Sequence, residues 1–95
     1  MASQHKYDTH KYMLKKVYGI TKEQFNNFAE KQDNKCGICY KNFTNKVPFN
    51  PNVDHDHTSN KIRGLLCGKC NRALGLLQDD PIIIKRAITY LRGEL

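Results

Sequence analysis

Tryptophan is absent from the 95 residues, and Ile82-Ile83-Ile84 is among the longest apolar runs. A membrane-spanning helix needs about 20 consecutive apolar residues, so none is expected. The opening MASQHKYDTHKY lacks the apolar stretch of a secretory signal, which predicts a protein of the cytoplasm. Acidic side chains are scarce: nine Asp and Glu stand against sixteen Lys and Arg, a formal net charge of +7. Such a balance disfavours cationic partners and favours a polyanion. No stretch pairs a basic face with a large apolar one, which argues against a membrane surface. Repeats, low-complexity tracts and long linkers are also missing, so residues 1–95 read as a single domain.

A domain this small buries only about 60–65% of its unfolded surface, and its core is marginal. A covalent or metal staple is expected, with the four cysteines as the obvious source. Helical spacing predicts N-terminal helices within 7–32. The first covers Tyr7 to Tyr18, with Tyr7, Leu14, Val17 and Tyr18 on one face and Gly19 at its end. The second opens on a Thr21-Lys-Glu-Gln24 capping box, carries Phe25, Phe28 and Ala29, and frays by Asp33-Asn34. Tyr40 to Asn52, with Pro48 and Pro51, reads as an exposed loop. Val53–His57 and Ile62–Leu66 read as two short strands joined by the turn Thr58-Ser-Asn-Lys61. A short helix follows over Asn71–Leu77. Asp80-Pro81 then opens a last helix over 81–92, with Ile84, Ala87, Ile88 and Leu91 on one face. The fold class is α+β. The aromatic residues read as core or surface rather than as platforms for bases.

The cysteines form two pairs, Cys36-Gly-Ile-Cys39 and Cys67-Gly-Lys-Cys70. Two intervening residues let one tight turn present both sulfurs to a tetrahedral ion, and the glycine eases the turn. Four thiolates leave no open position, so the expected ion is one structural Zn²⁺. Disulfides are disfavoured in a reducing compartment, and a redox Cys-x-x-Cys needs only one pair. His55 and His57 are too close together to replace a cysteine pair in the usual Cys2His2 pattern.

Asp54-His55-Asp56-His57 is the least ordinary stretch. Strand alternation puts Asp54 and Asp56 on one face, and His55 and His57 on the other. A carboxylate suits Mg²⁺, and a neutral imidazole accepts a proton from water, as phosphodiester hydrolysis requires. The same residues also suit a solvated polar hairpin or a second transition-metal site. Asn71, directly after the last cysteine, offers a further oxygen ligand from the start of a helix. Arg63 reads either as a phosphate contact or as an exposed strand arginine. Lys61, Lys69 and Arg72 extend a DNA-binding basic surface, while His5 and His10 read as bystanders.

Cys36-x-x-Cys39, Val53-Asp-His-Asp-His57, Arg63-Gly-Leu-Leu-Cys67 and Cys70-Asn71 resemble the recombination endonuclease VII group of His-Me finger (HNH) nucleases. The likeness runs from Cys36 to about Gly75, and more weakly outward. It implies a zinc-stapled ββα-metal core over 36–77 with flanking helices, and a catalytic Mg²⁺ or Mn²⁺ held by Asp54 and Asn71. It further implies that His55 activates water and that His57 holds the scissile phosphate. The products would carry 5′-phosphate and 3′-hydroxyl ends, from duplex or branched DNA, in a bacterium or a phage-infected host.

Two departures stand out. Leu74 occupies the place of an acidic residue one turn after the asparagine, and only about 20 residues follow Gly75 where the phage resolvases carry long dimer-forming helices. A homodimer is therefore not indicated. The competing function is a non-catalytic zinc module that binds nucleic acid; Asp54, His55 and Asn71 together favour the nuclease.

Overall fold

A computed structural model describes residues 20–94. The element order is α1 (Lys22–Lys31), β1 (Pro51–His55), β2 (Ile62–Cys67), α2 (Gly68–Leu76) and α3 (Pro81–Leu91). The fold is α+β, as expected, with one two-stranded sheet. The helix expected over Tyr7–Tyr18 lies outside the described residues. Among those described, no helix is long and apolar enough to cross a membrane.

Both halves of the capping box form at α1. The Gln24 amide donates to the Thr21 hydroxyl at 3.0 Å, and the Gln24 side chain accepts from the Thr21 N–H at 2.9 Å. The helix stops at Gln32, where Asp33 and Asn34 adopt left-handed φ values of 57° and 61°. This reversal aims the chain at Cys36.

β1 and β2 pair antiparallel from Pro51↔Cys67 to His55↔Ile62, with a break in register between Asp54 and His55. Asp54 faces Gly64 and His55 faces Ile62, so Arg63 is the extra residue of a bulge. β1 ends at His55, two residues short of the expected His57. Asp56 supplies the reason: its Oδ1 accepts from the N–H groups of Thr58 and Ser59 at 2.8 and 3.0 Å. That turn-forming carboxylate takes the backbone out of the strand, so Asp56 and His57 no longer alternate with Asp54 and His55. The turn is correspondingly longer than four residues, closed by the Asp56 N–H on the Lys61 carbonyl at 2.7 Å.

The core gathers Ile20, Phe25, Ala29, Cys36, Phe43, Val53, Leu65, Leu66 and Cys67. Two of these nine are cysteines, so Cys36 and Cys67, expected as zinc ligands, also lie in the core. Phe43 is 1% exposed, so the stretch expected to be an exposed loop is anchored by its own aromatic residue. α3 forms as expected, with Asp80 accepting from the Ile82 N–H and Pro81 at its first position. Its apolar face is not covered by the described residues: Ile88 is 45% and Leu91 83% exposed.

One tie crosses 33 positions of sequence. Gln32 Nε2 donates to the Leu65 carbonyl at 2.9 Å, and Gln32 Oε1 accepts from the Leu65 N–H at 2.9 Å. The side-chain amide thus pairs with β2 as a neighbouring strand would. It passes so close that a Cβ on Gly64 would lie 2.8 Å from Gln32 Oε1. The Gly37 N–H shares the Leu65 carbonyl at 3.1 Å, which locks the first cysteine turn to β2.

Candidate metal centres

The two cysteine pairs sit on different local structures. Cys36 and Cys39 ride a tight hairpin, with the Cys36 N–H on the Lys41 carbonyl (3.0 Å) and the Tyr40 N–H on the Cys36 carbonyl (3.2 Å). Cys67 ends β2 and caps α2, its Sγ accepting from the Cys70 N–H at 3.5 Å. The four Sγ atoms lie within 4.8 Å of one another, and Cys39 and Cys67 are 3.9 Å apart. A Zn–S bond of about 2.3 Å in a tetrahedron requires S···S edges of about 3.8 Å, so the spacing fits a Zn²⁺ ion.

Charge points the same way. Burial pushes the Cys36 thiol up, but the N–H groups of Cys67, Ile38 and Cys39 outweigh it and bring it down to about 6. Burial pushes Cys70 up to about 12, reinforced by hydrogen bonds with the other thiols and by the charge on Cys36. The Cys36 thiol thus gives up its proton readily while Cys70 resists, unless a dication neutralises the charge.

The Asp54 carboxylate lies on the bulge and is buried, the residue being 8% exposed. Arg63 grips both of its oxygens, from Nε to Oδ2 at 2.7 Å and from Nη2 to Oδ1 at 3.0 Å. The same Nη2 donates to Asp79 Oδ2 at 2.9 Å. These bonds, with Asp54 the largest contributor, hold the guanidinium above its ordinary pKa. Arg63 is an exposed arginine of β2, one of its two expected readings, and its guanidinium bridges two carboxylates.

Asp79 sits between α2 and α3, where Gln78 and Asp79 both take left-handed φ (62° and 55°). Such a backbone costs on the order of 1 kcal/mol per non-glycine residue. It is held by the Asp79 N–H on the Leu74 carbonyl at 2.7 Å and the Gln78 N–H on the Gly75 carbonyl at 2.9 Å.

A cavity of about 260 Å³ opens beside this cluster, lined by Asp54, Arg63, Gln32, Ile38, Leu66 and Leu74 among others. Leu74 lies on α2, and Asn71 stands one turn earlier on the same face. His55 is half-buried at the end of β1, and His57 is exposed in the turn. Of the cationic residues expected at the surface, Lys61 and Arg72 are exposed, and Lys69 Nζ lies 5.7 Å from the centre of the Phe49 ring. Sequence reasoning missed Asp79 and Gln32. Asp79 carried a signal only as the neighbour of a helix cap, and Gln32 carried none.

With this geometry in place, the comparisons with known proteins are informative. The sequence matches the family described as recombination endonuclease VII over residues 11–93. The chain belongs to that family. It is also 42% identical over 77 residues to the Gene 59 protein of Mycobacterium phage D29, covering 80% of this chain and 46% of that one. A second Gene 59 protein, from Mycobacterium phage L5, is 41% identical over 76 residues, covering 79% and 45%. This recombination endonuclease VII family member thus spans a little under half the length of those relatives. No solved structure matches it. The family takes its name from a recombination endonuclease.

Proposed function

We propose that β1, β2 and α2 form a ββα-metal core of the His-Me finger type that hydrolyses phosphodiester bonds in duplex or branched DNA, leaving 5′-phosphate and 3′-hydroxyl ends. The observation that carries this reading is the buried Asp54 carboxylate. It lines a cavity together with Leu74 of α2, one turn after Asn71, at a bulge that ends beside His55. Carboxylate and amide oxygens are the donors that suit Mg²⁺ or Mn²⁺, so Asp54 and Asn71 fit such an ion by their chemistry. Bound there, it would stabilise charge on the phosphate and on the departing 3′ oxygen.

The remaining roles belong to this chain. His55, as a neutral imidazole, takes the proton of the attacking water. His57, exposed in the turn, holds the scissile phosphate. Lys61, Lys69 and Arg72 supply the basic surface along which the backbone of DNA lies. The four cysteines keep the hairpin and α2 in place through zinc and take no part in the chemistry.

One observation favours a second reading. The grip of Arg63 on both Asp54 oxygens suits a non-catalytic zinc module that binds nucleic acid through its basic face. Single-turnover nicking of supercoiled plasmid with Mg²⁺ or Mn²⁺ separates the two. His55→Ala is expected to slow nicking at least ~10²-fold, the scale of a lost general base, with folding and DNA binding retained. Equal rates for the two proteins, or no metal-dependent nicking by wild type, would overturn the nuclease mechanism.

A further inference from the structure

Asp54 is the most deeply buried charged side chain among the described residues, and its counter-charge is supplied from within the protein. Arg63 reaches it from the bulge position, the one residue of β1 and β2 with no partner residue across the sheet. The guanidinium also has a second acceptor, Asp79, at nearly the same distance from the same nitrogen. That acceptor stands on a turn pinned by both helices that flank it, since Asp79 donates back to α2 and Asp80 caps α3. An arginine needed only to neutralise Asp54 has no use for a second carboxylate held in a left-handed backbone.

We propose that Arg63 is an exchangeable counter-ion: it occupies Asp54 while no divalent cation is bound, and withdraws onto Asp79 when one loads. The proposal rests on the reading of Asp54 as a metal ligand and adds the regulation of that site. Its physical basis is charge. A guanidinium and a dication on one carboxylate repel each other, and the guanidinium yields because it alone has somewhere else to bond. Asp79 is thus a positioning residue, acting through Arg63 without touching the cation. Withdrawal also frees Nε–H of Arg63, a donor of the kind that binds phosphate. The arginine is therefore presented to DNA only when the site holds its cation.

Mn²⁺ binding to the zinc-loaded protein, followed by electron paramagnetic resonance, tests the exchange. Arg63→Gln removes the competitor and is expected to tighten Mn²⁺ binding roughly three- to ten-fold, in the lower part of the range of couplings within one ion-pair network. Asp79→Asn removes the negative charge of the alternative acceptor and is expected to weaken binding by a similar factor. In the Arg63→Gln background, Asp79→Asn is expected to do nothing further. An equal effect of Asp79→Asn with and without Arg63 would reduce Asp79 to a distant charge and overturn the exchange. Unchanged or weaker binding in Arg63→Gln would overturn it too.

If Arg63→Gln does not fold, the Nε–H resonance of wild-type Arg63 serves instead. It is expected to shift and lose protection from solvent exchange as Mg²⁺ is added, and an unchanged signal at saturation would overturn the proposal. Asp54→Asn tells the two ideas apart. Loss of Mn²⁺ binding there, with no effect of Arg63→Gln, would leave the metal site standing and remove only the exchange. Unaltered Mn²⁺ binding in Asp54→Asn would remove both.

Discussion

The thiol cluster, with Cys36 and Cys67 buried, and the buried Asp54 carboxylate both gather ionisable groups along β2, one set around Cys67 and the other beside Arg63. They are neutralised differently. The thiol cluster contains no cation of its own, and deprotonating all four builds up negative charge that only an external ion relieves. The carboxylate cluster carries Arg63, which offsets one of its two negative charges before any ion arrives. The difference separates what a metal is needed for at each place. Under the proposed reading, the ion at the cysteines would be part of the fold. At Asp54, where Arg63 already partners the carboxylate, an ion could come and go.

The sharpest way to break this comparison is to remove the zinc. Stripping it, or replacing Cys67 by Ser, is expected to unfold most of the domain, because a structural zinc contributes roughly 10–16 kcal/mol and the core is small. Circular dichroism with metal analysis checks this; a cooperative, zinc-free folded protein would contradict it. Depleting Mg²⁺ and Mn²⁺ while zinc stays bound is expected to leave the spectrum unchanged.

Arg63→Gln should make the second cluster resemble the first. It strands Asp54 without a counter-charge, at a cost of about 1–3 kcal/mol once the partial exposure of Arg63 is allowed for. Added Mg²⁺ is then expected to raise the Tm of the variant more than that of wild type. Equal shifts would show that Arg63 is not what makes the cluster self-sufficient.

A smaller effect tests the tie that joins the two clusters. Gly64→Ala puts a methyl group 2.8 Å from Gln32 Oε1, and the amide must move off Leu65. A loss of about 1–2 kcal/mol is expected, seen as a Tm lower by roughly 5–10 °C. Gln32→Ala in the same background should then add little.

The smallest effect lies at the turn. N–H bonds from Ser59 and Thr58 hold the Asp56 carboxyl below its ordinary pKa. Its contribution is present above the unfolded value near ~4 and is lost as pH falls through the lower folded value. Asp56→Ala is expected to speed amide exchange at Thr58 and Ser59 at neutral pH and to leave the thiol cluster intact.

What could be read beforehand was what is encoded locally. The Cys-x-x-Cys spacing, the Thr21–Gln24 box and the Asp80-Pro81 start each need only a few neighbouring residues, and each is present in the structure. Strand β1 was misjudged at its end, because the turn-forming role of Asp56 competes with its strand pattern. The contacts of Gln32 with Leu65 and of Arg63 with Asp79 were out of reach. They join residues 33 and 16 positions apart, and no periodicity marks them. The burial of Phe43 was hidden in the same way, inside a segment whose prolines and asparagines read as loop.

Gln32 has one more consequence. A two-stranded ribbon leaves backbone donors and acceptors unpaired along its outer edge, and such an edge invites a strand from another molecule to join it. At Leu65 both groups are already taken, by an amide that is a side chain and so has no next residue to extend the ladder. The sheet cannot grow past that point. Gln32 therefore acts as a stopper against self-association of the hairpin, and a protein lacking it should reveal that role first as a tendency to aggregate.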